Sequence, residues 1–475
     1  MPKLKPHQVG VSAPPAVPAK FLRTLNGIAA LPFGELARKS QLSAIDQIVI
    51  SLANFSATIL LARHVTPTEL GVYTVGFLLI YLMRALQEGI LIQPLNALGA
   101  VLERDAFAAY ASATGLLQIG LAVLSAGAAA LMGWALTALG NDIAGPTLFA
   151  LWFSFLFWQC WEYVRRVFYT RGEVGKALTT TIASNGVRLA LILWLSRQEG
   201  LSGIAGLNAI GWGSLAAFIL GLWMGRGYWT AQSLNLASTW RQNWKFGRWL
   251  LGGTVANWVT LQLYPILTAG MVSFAAAGAY QALQNLVAPV HVLLRAADTF
   301  LTPRIARIYH HHGFGKLTRT LRLTYLITSL PILGLLLVAV SFVKPLLHLI
   351  RDDTYQPFSQ GIYIMALFYA LWYAYSPLQT AFKAIRQSRP IFLANALAVL
   401  SMFTVGVWAI RLWGVYGTIA GQALNALIIN LVLWWVWFRL RRSQPAAEHE
   451  LTPAIDTMTI AVSNPAGIHG EDRRD

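Results

Sequence analysis

Long apolar runs separated by short polar turns dominate the chain, and within the runs apolar and polar residues do not alternate. A helix needs about 20 mostly apolar residues to cross the hydrocarbon core of a bilayer. Twelve stretches meet that requirement, near residues 43–62, 70–90, 107–138, 147–168, 176–196, 202–225, 247–268, 275–297, 319–342, 359–381, 389–410 and 414–438. A membrane barrel would show alternating segments of about ten residues, whereas stretches such as 116–138 and 420–438 are uninterrupted. The pattern predicts an all-α polytopic membrane protein of about 12 transmembrane helices. Residues 1–20 read as a disordered tail, because prolines interrupt the place where the apolar centre of a targeting peptide would stand. Residues 21–39 suit a short amphipathic helix lying along the interface. The polar end after Arg442 reads as a second disordered tail.

Composition agrees and adds an orientation. The 475 residues are 56% hydrophobic and 12% charged, about half the charge of a soluble chain. The single cysteine, Cys160, excludes a disulfide within the chain. The net charge of +17 raises nucleic-acid binding, but in a membrane protein the useful question is which loops hold the positive residues. The N-terminal tail, every second loop after it and the segment beyond the last span hold 29 of the 36 Lys and Arg; the opposite loops hold five. That asymmetry predicts both termini in the cytoplasm of a bacterial cell and an even number of spans. The charge is then mainly topology, with attraction to membrane lipids second, and no nucleic-acid partner is expected.

The two halves repeat. Ala62, Val65, Thr66, Gly71 and Tyr73 recur as Ala269, Val272, Ser273, Gly278 and Tyr280 at a constant offset of 207. Arg171 and the segment Ile204, Ala205, Gly206 recur as Arg386 and Ile419, Ala420, Gly421 at an offset of 215. The matches fall at equivalent places in two six-helix units that start on the same side, so the repeat is parallel. Internal repeats are a transporter design. The expected organisation is a tail at 1–40, an N-lobe at 41–226, a cytoplasmic linker at 227–246, a C-lobe at 247–440 and a tail at 441–475.

The stretch LLARHVTPTELGVYTVGFLL, residues 60–79, resembles the first-to-second-helix turn of Wzx-like polysaccharide flippases of the MATE-like multidrug/oligosaccharidyl-lipid/polysaccharide (MOP) superfamily. Residues 264–289, YPILTAGMVSFAAAGAYQALQNLVAP, are similar to the same pattern in the second half, and FKAIRQSRP at 382–390 is similar to the family's basic loop between spans 10 and 11. The resemblance implies two six-helix lobes facing each other across a central cavity that opens to either side in turn. It also implies a substrate, a sugar linked to a polyprenyl phosphate or pyrophosphate, moved outward across the inner membrane, with polysaccharide assembly proteins as partners. Lipid II flippases of the superfamily add two helices, so a count of twelve favours the Wzx-like and exopolysaccharide exporters.

Charges inside the spans are the candidate chemistry, since an ionisable side chain at mid-bilayer costs about 2.5–3.5 kcal/mol on insertion scales. Arg188 stands 12 residues past Lys176, roughly 18 Å into the membrane, with no acid within a turn. A guanidinium there would grip a phosphate bidentately; the alternative is an arginine bonded to carbonyls or snorkelling to an interface. Arg84 and Glu88 share a helical face, and their equivalents in the repeat are His291 and Arg295, with Asp298 a turn further on. These read either as two faces lining one cavity or as self-satisfied Arg–Glu and Arg–Asp pairs. Asp46 and Asn54 lie eight residues apart on span 1. Asp46 is a candidate for H+ or Na+ coupling, as the resemblance implies for first-helix acids, or else a tether at a helix end. Glu162 with Arg165 and Arg166 reads as a surface-proximal ion pair. Gln284 and Asn285, with Asn257, Gln262 and Gln281, would bond sugar hydroxyls or tie helices together.

The remaining signals are bland. His310, His311 and His312 are consecutive and read as a solvated loop rather than a metal site. Many of the 18 tryptophans fall near span ends, as in an interfacial belt. The sequence has no phosphate-binding glycine loop, so ATP hydrolysis is not expected, nor is any cofactor. Short outer loops argue against a glycan polymerase or glycosyltransferase. A cation-coupled multidrug exporter of the same fold stays open as an alternative.

Overall fold

Helix-start chemistry organises both repeats. Thr66 caps the second helix, its hydroxyl accepting from the Glu69 N–H at 3.3 Å, and Pro67 occupies the first turn, where its missing N–H goes unneeded. In the second repeat Ser273 accepts from the Ala276 N–H at 3.1 Å. The surrounding backbone bonds match at the same offset. Val65 donates to Leu61 and Val272 to Thr268; Leu70 donates to Thr66 and Ala277 to Ser273. The sequence repeat is thus also a repeat of hydrogen bonds. Replacing either cap by alanine, Thr66→Ala or Ser273→Ala, is expected to cost about 1 kcal/mol, read as matching decreases in melting temperature of the detergent-purified chain.

The structure, a computed structural model, describes the backbone of residues 19–232, 234–351, 354–385, 387 and 389–443; side chains are described from Arg38 onward, with gaps that include residues 295–304. Every regular element among the described residues is helical. The helices are α1 (Ala19–His64), α2 (Pro67–Gln87), α3 (Gln93–Leu98), α4 (Arg104–Ala138), α5 (Ala144–Thr170), α6 (Val174–Arg197), α7 (Gly203–Met224) and α8 (Leu236–Met271). They continue as α9 (Phe274–Leu286), α10 (Ala288–Ser341), α11 (Val343–Arg351), α12 (Gly361–Ala384), α13 (Arg389–Ser401), α14 (Val407–Trp413) and α15 (Val415–Ser443). Single π turns join α2 to α3 at Glu88–Ile92 and α13 to α14 at Met402–Gly406.

Nine helices among the described residues are long and apolar enough to cross a membrane, and they coincide with nine of the twelve expected spans. The other three expected spans are also helical but carry polar or charged residues or a break. Residues 147–168 lie in α5 with Glu162, Arg165 and Arg166; residues 247–268 lie in α8 with Arg248, Asn257 and Gln262. Residues 275–297 divide at Val287 into α9 and α10, because Pro289 sits in the first turn of α10 where the first repeat has Leu82. His291 and Arg295 therefore stand on a different helix from Tyr280, whereas Arg84 shares α2 with Tyr73. Residues 21–39 are helical and run unbroken into the first span instead of forming a separate interfacial helix. The backbone of residues 310–312 is helical too, ending at Gly313, whose φ of +70° interrupts α10; the expected solvated loop is not formed.

Residues up to Val255 form one compact unit and those from Ala256 a second. The first is built from α4, α5, α6 and α7, with α1 against α6 and α2 against α5 and α7. Glycines on α7 set the close approaches that matter for the site. A Cβ at Gly206 would stand 3.0 Å from the Tyr73 ring, and one at Gly213 would be 3.3 Å from the backbone N of Arg188. Small residues let helices approach closely where side chains would hold them apart. In the second unit α12 packs on α10 and α15, and α13 on α15.

Candidate functional site

Arg188 lies in the middle of α6 and is 5% exposed. Its Nη1 donates to the Asn54 side-chain oxygen at 2.7 Å, and its Nη2 donates to the Tyr73 hydroxyl. The Phe77 ring lies 5.7 Å from the guanidinium carbon. Nε has no partner, and no described carboxylate pairs with the group. A buried cation usually takes a counter-ion, because desolvating an unpaired charge costs several kcal/mol. Here neutral groups hold it in place and leave its charge uncompensated. The arrangement is suited to receive an anion.

Asp46 behaves differently from Asn54, although both are on α1. Its carboxylate is wholly buried and accepts from Arg165 Nη2 at 2.6 Å and from the Tyr169 hydroxyl at 2.7 Å. Arg165 reaches on to Glu162 at 2.5 Å; Glu162 also accepts from Arg166 Nε at 2.8 Å, and Arg166 reaches Glu88 at 3.7 Å. Gln93 donates to the other Glu88 oxygen at 2.8 Å. Arg84 stands near enough to Glu162 for its charge to act on it. Asp46, Glu162 and Glu88 are thus joined through the guanidiniums of Arg165 and Arg166 across α1, α5 and the π turn, with Arg84 of α2 beside them. One expectation is corrected. Glu162 and Arg165 are 2% and 3% exposed, so this pair is not surface-proximal; it closes the buried junction of α1 with α5. Of the two readings of Arg84 with Glu88, the self-satisfied pair is not formed among the described contacts: Glu88 meets Arg166 and Gln93, and Arg84 lies over the Tyr81 ring at 5.8 Å.

The second unit holds amides and hydroxyls rather than charges along the equivalent helix. Tyr280, at the repeat position of Tyr73, donates to Gln422 at 3.0 Å and accepts from Gln284 at 3.3 Å. Gln281 donates to Asn285 at 3.1 Å, and the Asn285 amide nitrogen is buried without a partner. His291 meets the Trp372 ring edge-on at 4.8 Å. The side chains of Arg295 and Asp298 lie outside the described residues. No group of three metal-ligating side chains occurs among the described residues.

The structure therefore brings Arg188 to Asn54 and Asp46 to Glu88 through Arg165 and Arg166, and separates these two sets. Sequence reasoning missed Tyr73 and Phe77 as partners of Arg188. The repeat of Tyr73 as Tyr280 was a usable signal, since a tyrosine kept at equivalent places in two apolar helices needs a bond for its hydroxyl. The link from Asp46 to Arg165 spans 119 residues and left no local trace.

No protein-family model and no curated protein sequence matches the chain. Solved structures do. One is an inward-facing multidrug resistance MATE family transporter of the MOP superfamily, with a TM-score of 0.66, 12% identity, and 84% of this chain and 98% of that one covered. The lipid II flippase MurJ in an inward closed conformation gives a TM-score of 0.64 at 16% identity, covering 85% of this chain and 87% of that one. A MOP superfamily transporter from Pyrococcus furiosus, reported with a binding pocket of reverse polarity, gives 0.55 at 14% identity, covering 86% and 95%. The chain is a multi-pass membrane protein with a MATE-like fold.

Proposed function

We propose that the chain is a flippase or exporter that moves a lipid-linked oligosaccharide or exopolysaccharide precursor across the bacterial inner membrane. The observation that carries this reading is Arg188, a buried cation with neutral partners and a free Nε. A polyprenyl phosphate or pyrophosphate supplies the missing negative charge, and guanidinium binds phosphate in a planar fork. Arg84 and Arg295 are further candidate phosphate contacts. In the second unit, Gln284 and Asn285 offer amides to sugar hydroxyls. The ion-pair network around Asp46 is assigned to holding helices together, since both partners of its bonded oxygen are already in place.

A multidrug exporter of the same fold is the second reading, favoured by the similarity to a multidrug resistance transporter. A positive site repels cationic drugs, which is the reason for ranking it second. The test is transport by the purified chain in sealed vesicles. A short-chain polyprenyl pyrophosphate-linked sugar is expected to become accessible on the far side, while a cationic dye is not moved and no sugar is transferred to an acceptor. Dye transport without movement of the lipid-linked sugar would reverse the ranking, and sugar transfer would point to a glycosyltransferase.

A further inference from the structure

The first turns of α8 present three distinct faces. Thr239, Asn243 and Gly247, spaced by four, are buried. Asn243 accepts from the Tyr110 hydroxyl at 2.6 Å, which fixes this stretch to the first turns of α4. Beside the buried stripe, Leu236, Trp240 and Trp244 are each about 41–42% exposed, and the two indoles stack at 5.7 Å with an interplanar angle of 18°. The third stripe is Arg241, Lys245 and Arg248, all exposed. From Glu199 to Asp298 the chain has no intervening acidic residue.

Helix length places these turns at the membrane surface. Thirty-six residues extend about 54 Å, against a hydrocarbon core of about 30 Å. The neighbouring contacts mark the same end: Tyr228, on the turn between α7 and α8, meets the Phe107 ring of α4 at 5.8 Å, and Lys176 at the start of α6 lies 5.7 Å from the Tyr228 ring. Among the described residues of the turns before α4 and α6 at that end, the acids are Glu103, Asp105 and Glu173, and Glu173 is paired with Lys176 at 2.9 Å. Indoles favour the headgroup level of a bilayer, and basic residues near the surface attract anionic lipid.

We infer that the first turns of α8 are a binding platform for the headgroups of anionic phospholipids, with Arg241 and Lys245 on the phosphate and the Trp240–Trp244 stack seated among the lipid glycerols. A free amphipathic segment must order itself to bind lipid; here the buried stripe holds the two binding stripes in register beforehand. The site is separate from Arg188 and does not depend on what the protein transports.

The experiment titrates the detergent-purified full chain with dioctanoyl-phosphatidylglycerol, dioctanoyl-phosphatidylcholine or inorganic phosphate, and counts bound lipid by native mass spectrometry. Phosphatidylglycerol is expected to bind about tenfold more tightly than phosphatidylcholine, and the preference to shrink as salt rises. The R241Q/K245Q chain is expected to lose that preference while R241K/K245R keeps it, with both melting as the parent does. Equal binding of the two lipids by the parent, a full preference in R241Q/K245Q, or displacement of the lipid by inorganic phosphate at matched concentration would overturn the inference. Should the glutamine pair fail to fold, the salt titration of the parent decides: a preference unmoved by salt also overturns it.

Discussion

An Arg165→Met chain is expected to be destabilised by about 3–5 kcal/mol, the usual cost of removing one member of a buried ion network. Arg165 is the only described group bonded to both Asp46 and Glu162. Without it, two carboxylates stay buried; Asp46 retains Tyr169 and Glu162 retains Arg166. Both would lose the cation they share, and α1 would lose an ion-pair tie to α5. Asp46→Asn is expected to cost less, about 1–3 kcal/mol, because the amide oxygen still accepts from Arg165 and Tyr169. Thermal melting of the detergent-purified variants separates the two. An Arg165→Met chain that melts with the parent would mean that the network contributes nothing to stability and would reopen Asp46 as a coupling group.

Arg188→Ala is expected to abolish export of the lipid-linked sugar while the protein still inserts and folds. Its structural cost is limited to the partners left behind, Asn54 and Tyr73, at about 1–3 kcal/mol for each buried group left unsatisfied. Arg188→Met separates the readings more sharply. Methionine fills the volume of the stem but leaves Asn54 and Tyr73 without their donor, at the same cost as alanine less the cavity; if the arginine is purely structural, transport by the folded chain persists. If the guanidinium meets phosphate, the methionine chain folds but is inactive, and Arg188→Lys recovers only part of the activity because the ammonium lacks the planar fork. The vesicle transport assay, read against melting temperature, distinguishes these outcomes. Normal transport by Arg188→Met would remove Arg188 from the site.

Much of this was legible in the sequence because membrane helices and helix starts are local. Apolar length alone located nine spans that the structure forms as long apolar helices. Arg188 stood out for the same reason, as a charge in an apolar run. The partners were not legible. Glu162 and Arg165, three residues apart, read as an exposed pair until Asp46 was brought against them from another helix. Nor did the span template register Pro289, which divides an apolar stretch into two helices without altering its hydropathy.

The matched bonds at Thr66 and Ser273 bear on how the halves are free to diverge. Both copies enter their second helix through the same latch, so harm at either latch is a folding defect, equal on the two sides. What each copy carries beyond it differs: Tyr73 serves an arginine, whereas Tyr280 serves glutamines. A duplicated frame thereby lets the two interiors diverge in chemistry while the way each second helix is started stays the same.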